Sequence, residues 1–176
     1  MVHHELQGAE MRSFESFGDF ADHLVRIAAA APVALHRGVQ DAADVVLADA
    51  RDEIGKYQDA IASDRGGVGL IPAWEQLAPS TEKQKERAGY PLDAPLLASG
   101  GFRDTITKSA VGLKAVVGTN DERRVWFEMG TPRMPPRAVF APAAIRNEAK
   151  VLRILAEAAM AGLIGGDLMF VPLSSD

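Results

Sequence analysis

Glu128-Met-Gly-Thr-Pro-Arg-Met-Pro-Pro-Arg137-Ala-Val-Phe-Ala-Pro-Ala143 lies between a strand-like run and a helical one, and it holds four of the chain's ten prolines. Each proline fixes φ at about −65° and removes a backbone donor. The residue before each is pushed out of the α region. Gly130 supplies a position where positive φ is cheap. Met134-Pro135-Pro136-Arg137 therefore reads as a stiff, extended strap that carries Arg133 and Arg137 and presents no catalytic group. A rigid strap with guanidiniums suits docking between surfaces better than bond-making.

Upstream of the strap, Val111-Gly-Leu-Lys-Ala-Val-Val117 and Arg124-Val-Trp-Phe127 are rich in β-branched and aromatic residues. With Gly118-Thr-Asn-Asp121 as a turn between them, they predict an antiparallel hairpin. Phe102–Lys108 extends it as a preceding strand. Downstream, Ile145, Leu155 and Ala159 recur at helical spacing over 143–161, Gly165-Gly166 stops the helix, and Leu168-Met-Phe-Val171 reads as a terminal strand.

Residues 13–61 form a long helical pattern, with Phe14, Phe17, Ala21, Leu24, Ala28 and Ala31 continued by Leu35, Val39, Ala42, Val46, Ala50, Ile54 and Tyr57. Ser13 is the expected N-cap. Pro32 predicts a kink or a restart, with the proline in the first turn of a second helix. That second helix either packs on the sheet or meets a helix of another subunit. Residues 63–101 look irregular. Ser63–Gly69 is a glycine loop, and Thr81–Arg87 makes one or two exposed helical turns capped by Ser80. A connection of that length usually binds something or moves.

At 176 residues, 47% hydrophobic and 24% charged, the chain is expected to form one α+β domain over 13–176, with a disordered start at 1–12. The absence of cysteine excludes disulfides, thiolate catalysis and Cys-based zinc sites. Met1–Glu10 is polar and acidic, which does not suggest a signal peptide, and no apolar run approaches membrane-spanning length. Cytoplasmic synthesis is the expectation. The net charge of −5 is uneven: residues 1–62 carry 5 Lys/Arg against 11 Asp/Glu, whereas 101–153 carry 10 against 5. Such a basic centre can meet nucleic acid, through Arg103, Lys108, Lys114, Arg123 and Arg124, or the acidic part of an identical neighbour.

Local chemistry is sparse. Ser80-Thr-Glu-Lys83 matches Ser-x-x-Lys, but the companion Ser-Asp-Asn and Lys-Thr-Gly elements are missing. Gly66-Gly-Val-Gly69 lacks the spacing and lysine of a phosphate loop. Asp19 and His23 stand four residues apart on a helix, a spacing that suits a surface ion pair as well as a metal. His3-His-Glu5 falls in the terminus, and His36 has no visible partner. The expectation is a non-enzyme without catalytic, cofactor or metal residues.

Taken in order, five stretches resemble a known family. They are Trp74-Glu-Gln-Leu-Ala-Pro-Ser-Thr-Glu-Lys83, Pro95-Leu-Leu-Ala-Ser-Gly100-Gly-Phe-Arg103-Asp-Thr-Ile106, Val116-Val-Gly-Thr119, Glu128-Met-Gly-Thr131 and Met134-Pro-Pro-Arg137-Ala-Val-Phe140. This set resembles the tail-completion and neck proteins of tailed bacteriophages, including virion morphogenesis proteins of Mu-like and P2-like phages. It departs from their pattern at Ser99, Gly101, Thr105, Met129 and Ala138-Val139, changes that roughly keep size and polarity.

The resemblance implies a long kinked N-terminal helix packed on a curved antiparallel sheet of three to four strands, with a second helix after the strap. It also implies a virion location at the neck or tail, after assembly in the host cytoplasm. Partners would be identical subunits in a ring and other neck, connector or tail proteins. DNA would pass nearby without being a specific ligand, and no membrane or cofactor is implied. Tail completion, tail termination and head closure are not separated by these residues. The candidate interface comprises Trp74, Arg103, Glu128, Gly130, Thr131, Arg133, Met134, Pro135, Pro136 and Arg137. Arg137 either pairs with an acidic residue of a neighbour or packs on its own domain.

Overall fold

A computed structural model describes residues 13–63 and 69–164. The expectations for 1–12, for the body of the glycine loop, for the Gly165-Gly166 stop and for the 168–171 strand lie outside the described residues. In chain order the elements are α1 (Phe17–Asp52), β1 (Ile61–Ser63), β2 (Gly69–Ile71), α2 (Pro79–Ala88), α3 (Gly101–Thr105), β3 (Thr107–Val111), β4 (Lys114–Gly118), α4 (Arg123–Met129), α5 (Phe140–Arg146) and α6 (Glu148–Leu163). The fold is α+β.

α1 is one helix of 36 residues, about 54 Å long. Its N-cap is Ser16, not Ser13: the Ser16 hydroxyl accepts from the Asp19 N–H at 3.1 Å and donates to the Asp19 carboxylate at 2.8 Å. No second helix starts at Pro32. The proline sits on the exposed side of α1, and the residue whose carbonyl loses its donor, Ala28, is exposed as well, so water can replace the missing bond. α1 stops at Asp52 rather than near residue 61. Glu53 caps it, Gly55 turns the chain at φ 97°, and the Gly55 N–H leaves the helix for the Pro95 carbonyl at 2.9 Å.

Among the described residues, two separate two-stranded antiparallel sheets, β1–β2 and β3–β4, replace the single sheet of three to four strands expected from the sequence. The real hairpin pairs Thr107 with Gly118 and Val111 with Lys114. Its two-residue turn is Gly112-Leu113, with Gly112 at φ 58°. The Gly118–Asp121 stretch starts a helix instead of turning a hairpin. The Thr119 hydroxyl accepts from the Asp121 N–H (3.0 Å), and the Asp121 carboxylate accepts from the Arg123 N–H (2.9 Å). These local bonds set the first turn of α4 and override the strand propensity of Arg124–Phe127. Phe102 also belongs to a helix, α3, rather than a strand. Its ring packs edge-on against Phe127 at 4.7 Å.

The core sits at the C-terminal end of α1, where Ala50, Ile54, Trp74, Phe102, Ile106, Val139 and Ala143 close on one another. Arg51 reaches from the last turn of α1 to the Ile106 carbonyl with Nε at 3.0 Å and Nη2 at 2.6 Å. The helical run after the strap is split at Asn147 into α5 and α6. Asp49 holds that junction: it accepts from Arg146 (3.2 and 3.1 Å) and from Asn147 (2.9 Å), and Arg146 also pairs with Glu53. α6 then runs antiparallel along α1, with Ala158 beside Gly38 and Gly162 beside Ala31.

Candidate assembly interface

The strap is built from backbone constraints. Gly130 adopts φ 72°, ψ −179°, a region open almost only to glycine. Thr131 and Met134 then bond each other across a tight turn, N–H to carbonyl at 2.8 and 3.1 Å, with Pro132 at the turn position that proline favours. The returning chain crosses close over Gly130. A Cβ there would stand 2.9 Å from both the Met134 carbonyl oxygen and the Pro136 nitrogen. The Arg137 N–H donates to the Phe127 carbonyl at 2.6 Å, fastening the strap to α4. Glu128 completes the closure: its carboxylate accepts from the Val139 and Phe140 N–H groups at 2.8 and 3.2 Å, satisfying free donors at the start of α5.

Several sequence-predicted residues are thereby placed inside the fold. Arg137 is only 5% exposed, and its Nη2 donates to the Glu75 carbonyl at 3.0 Å, while its Nε lies buried without an acceptor. Burial pushes its pKa down, opposed by Tyr57 and Glu75. Of the two roles open to Arg137 in the sequence, packing on its own domain is the one the structure displays, because the side chain is buried and bonded to the Glu75 carbonyl. Trp74 is buried too. Its backbone N–H donates to the Gln58 carbonyl at 2.9 Å while its indole Nε1 lies buried without an acceptor, and the nearby Leu77 N–H donates to the Tyr57 hydroxyl at 3.1 Å. The Tyr57 pKa is raised, first by burial and then by Asp93. Glu128, Gly130, Met134 and Pro135 are half-buried. The candidates left accessible are Arg103, which lies 3.4 Å from Asp104, and Thr131, Arg133 and Pro136 on the strap.

Sequence reasoning missed Lys85. It belongs to a helical segment read as exposed turns, yet it is buried and donates to the Ala94 (2.5 Å) and Leu97 (2.9 Å) carbonyls. Burial lowers its pKa, partly opposed by Glu82 and Asp93. It thereby pins residues 94–97 against α2. Nothing in the polar run Thr81–Arg87 marks that one lysine as different. The same segment starts differently from expectation: Ala78 rather than Ser80 is the N-cap, with Pro79 in the first turn.

Elsewhere, His36 donates from Nδ1 to the Gly112 carbonyl at 2.6 Å and accepts from Gln40 at 3.1 Å, holding the hairpin turn on α1. A cleft of about 820 Å³ between α1 and α6 is walled by Ala30, Val33, Ala34, Ile154 and Ala161. No group of three His, Asp or Glu residues suited to a metal ion occurs among the described residues. Among them, no helix is long and apolar enough to cross a membrane. No family model, curated protein or solved structure matches the chain.

The internal role of Arg137 carries a prediction. Arg137→Ala removes a charge-assisted hydrogen bond and its packing stem, at about 2–3 kcal/mol. The melting temperature should fall by roughly 5–10 °C, while the sedimentation coefficient at low temperature stays that of the wild type. A variant that melts normally but no longer associates would return Arg137 to an intermolecular role.

Proposed function

We propose that this chain is a structural subunit of a tailed-phage or prophage virion, part of the neck as a ring of identical copies, in tail completion or head–tail joining. The observation that carries the reading is how the five motif stretches are used. Trp74, Phe102, Ile106, Val117 and Val139 meet in or against one core, and Glu128 and Arg137 use their polar groups to fasten backbone. The motifs thus build a rigid body and converge on no reacting group. Among the large apolar side chains that body leaves exposed are Val111 and Val116 on the hairpin, Trp126 and Met129 on α4, and Phe17, Leu24 and Val25 on α1. Surfaces of this kind mark contact sites.

The rival reading, a nucleic-acid-binding accessory protein, loses weight from the same geometry. Of its five cations, Lys108 is held by Asp44 at 2.5 Å, Arg123 by Asp121 at 2.5 Å, and Arg103 lies against Asp104. Affinity for DNA grows with the number of phosphates neutralised, so internally paired cations contribute little. Sedimentation of the purified protein, alone and with candidate portal or tail proteins, tests the proposal alongside DNA titration at two salt concentrations. Multi-subunit species with negligible DNA affinity are expected. A persistent monomer whose DNA affinity falls steeply with salt would overturn the assignment.

A further inference from the structure

The cleft between α1 and α6 has apolar walls and a charged rim. Val33 and Ala34 form one wall, Ile154 and Ala161 the other, and its volume of about 820 Å³ falls within the range of binding pockets. Val33 is 70% exposed, so one side is open to water. Arg37 and Asp41 on α1 and Glu157 on α6 stand along the edge. His36 lines it too, but its ring is engaged by the Gly112 carbonyl and Gln40.

The chain itself leads back to this cleft. α6 ends at Leu163, and Gly162 stands against Ala31, so residue 165 follows within about one turn of the end of the cleft marked by Ala30 and Ala161. Gly165-Gly166 comes next, where a sharp reversal carries little steric cost. It is followed by Leu168-Met-Phe-Val-Pro-Leu173, a run without a charge. In an extended chain alternate side chains share a face. Leu168, Phe170 and Pro172 would make one face, Met169, Val171 and Leu173 the other, so an apolar set meets the walls in either orientation. Six extended residues reach about 20 Å, and Ala161 to Ile154 spans only about 11 Å of α6. We propose that Leu168-Met-Phe-Val-Pro-Leu173 reverses at Gly165-Gly166 and packs into the α1–α6 cleft of its own chain. This contact goes beyond the assembly reading and does not depend on it.

Tethering selects this occupant over the same run from a second copy. A segment joined to its site by a few residues is present there at an effective concentration of about millimolar. A segment of another molecule competes only at the bulk protein concentration. Charge does not oppose the contact. Arg37 and Asp41 carry opposite signs, Glu157 pairs with Arg153 at 3.8 Å, and the run brings no charge of its own. Asp167 precedes the run and Asp176 follows it, which leaves both acids outside the walls.

The chain has no cysteine, so an engineered pair reports this contact alone. In the full chain carrying Val33→Cys/Phe170→Cys, mild oxidation of a dilute sample should convert most molecules to an internally crosslinked monomer. It should do so about tenfold or more faster than in Lys56→Cys/Phe170→Cys, because Lys56 lies past the far end of α1, about 28 Å or more from Val33. Methyl NMR supplies a second measurement without cysteines. Phe170→Leu keeps the run apolar but removes the ring, so the Val33 and Ile154 methyl resonances should shift while those of Val125 on α4 stay in place.

Disulfides between two chains at the same dilution would overturn the internal contact and assign the cleft to a second copy. Equal oxidation rates for the two pairs, or Val33 and Ile154 methyls indifferent to Phe170→Leu, would overturn it outright.

Discussion

Gly130→Ala should destabilise the protein by about 3 kcal/mol or more, lowering the melting temperature by roughly 6–12 °C. Two effects add at this position. The backbone at φ 72°, ψ −179° is nearly closed to any residue with a Cβ. The added carbon would also stand 2.9 Å from two backbone atoms of the returning strap, which cannot rotate away as a side chain could. Relief requires the strap to lift, and lifting it breaks the Arg137 N–H bond to Phe127 and draws Val139 and Phe140 from Glu128. Gly89 supplies the control. It has φ 69° but nothing within 4 Å of a built Cβ, so Gly89→Ala should cost only about 1–2 kcal/mol. Thermal melts of both variants, with amide exchange at Arg137 and Val139, check the argument. Equal losses at the two glycines would show that crowding by the strap contributes nothing.

Gly130 also illustrates what the sequence makes legible. A glycine followed by Pro132, Pro135 and Pro136 encodes its own backbone geometry, and the left-handed φ is where the residue types place it. The long start of α1 is legible for a similar reason, because its periodicity runs over many turns. Distant partners are less visible. Arg137 reads as a docking group until Glu75, 62 positions away, offers its carbonyl. Glu128 reads as a candidate interface residue until the Val139 and Phe140 N–H groups are seen to donate to it. The sequence points to a hairpin one element later than the real one, because Gly118-Thr-Asn-Asp121 carries a stronger turn signature than Gly112-Leu113. Thr119 and Asp121 use that signature to begin a helix. Alternation in Arg124–Phe127 was too short to tell strand from helix, and side-chain bonds at the preceding residues decided it. The strap's prolines are legible in the sequence, but the direction of its side chains, inward at Arg137 and outward at Thr131–Arg133, depends on the fold.

Gly38→Leu should be the most damaging substitution on α1, costing about 3 kcal/mol or more. Here φ is ordinary, so the argument is packing alone. A single Cβ on Gly38 would lie 2.4 Å from the Ala158 Cβ, far inside van der Waals contact, and a leucine adds three more carbons to the same space. Gly162 faces Ala31 in the same way, its Cβ 2.8 Å from the Ala31 Cα, so α6 is held close to α1 at two points about one turn apart on α6. Neither helix can pivot away from one contact without disturbing the other. Gly38→Ala provides the sharper measurement. In an exposed helix it would add about 1 kcal/mol of stability; here it should lose about 1–2 kcal/mol because overpacking outweighs that gain. Ala158→Gly removes the opposing methyl, so the double variant Gly38→Ala/Ala158→Gly should return to within about 1 kcal/mol of the wild type, with a coupling of about 1–2 kcal/mol between the sites. Additive losses in the thermal melts would mean the two residues do not touch, and that α6 is not where this packing places it.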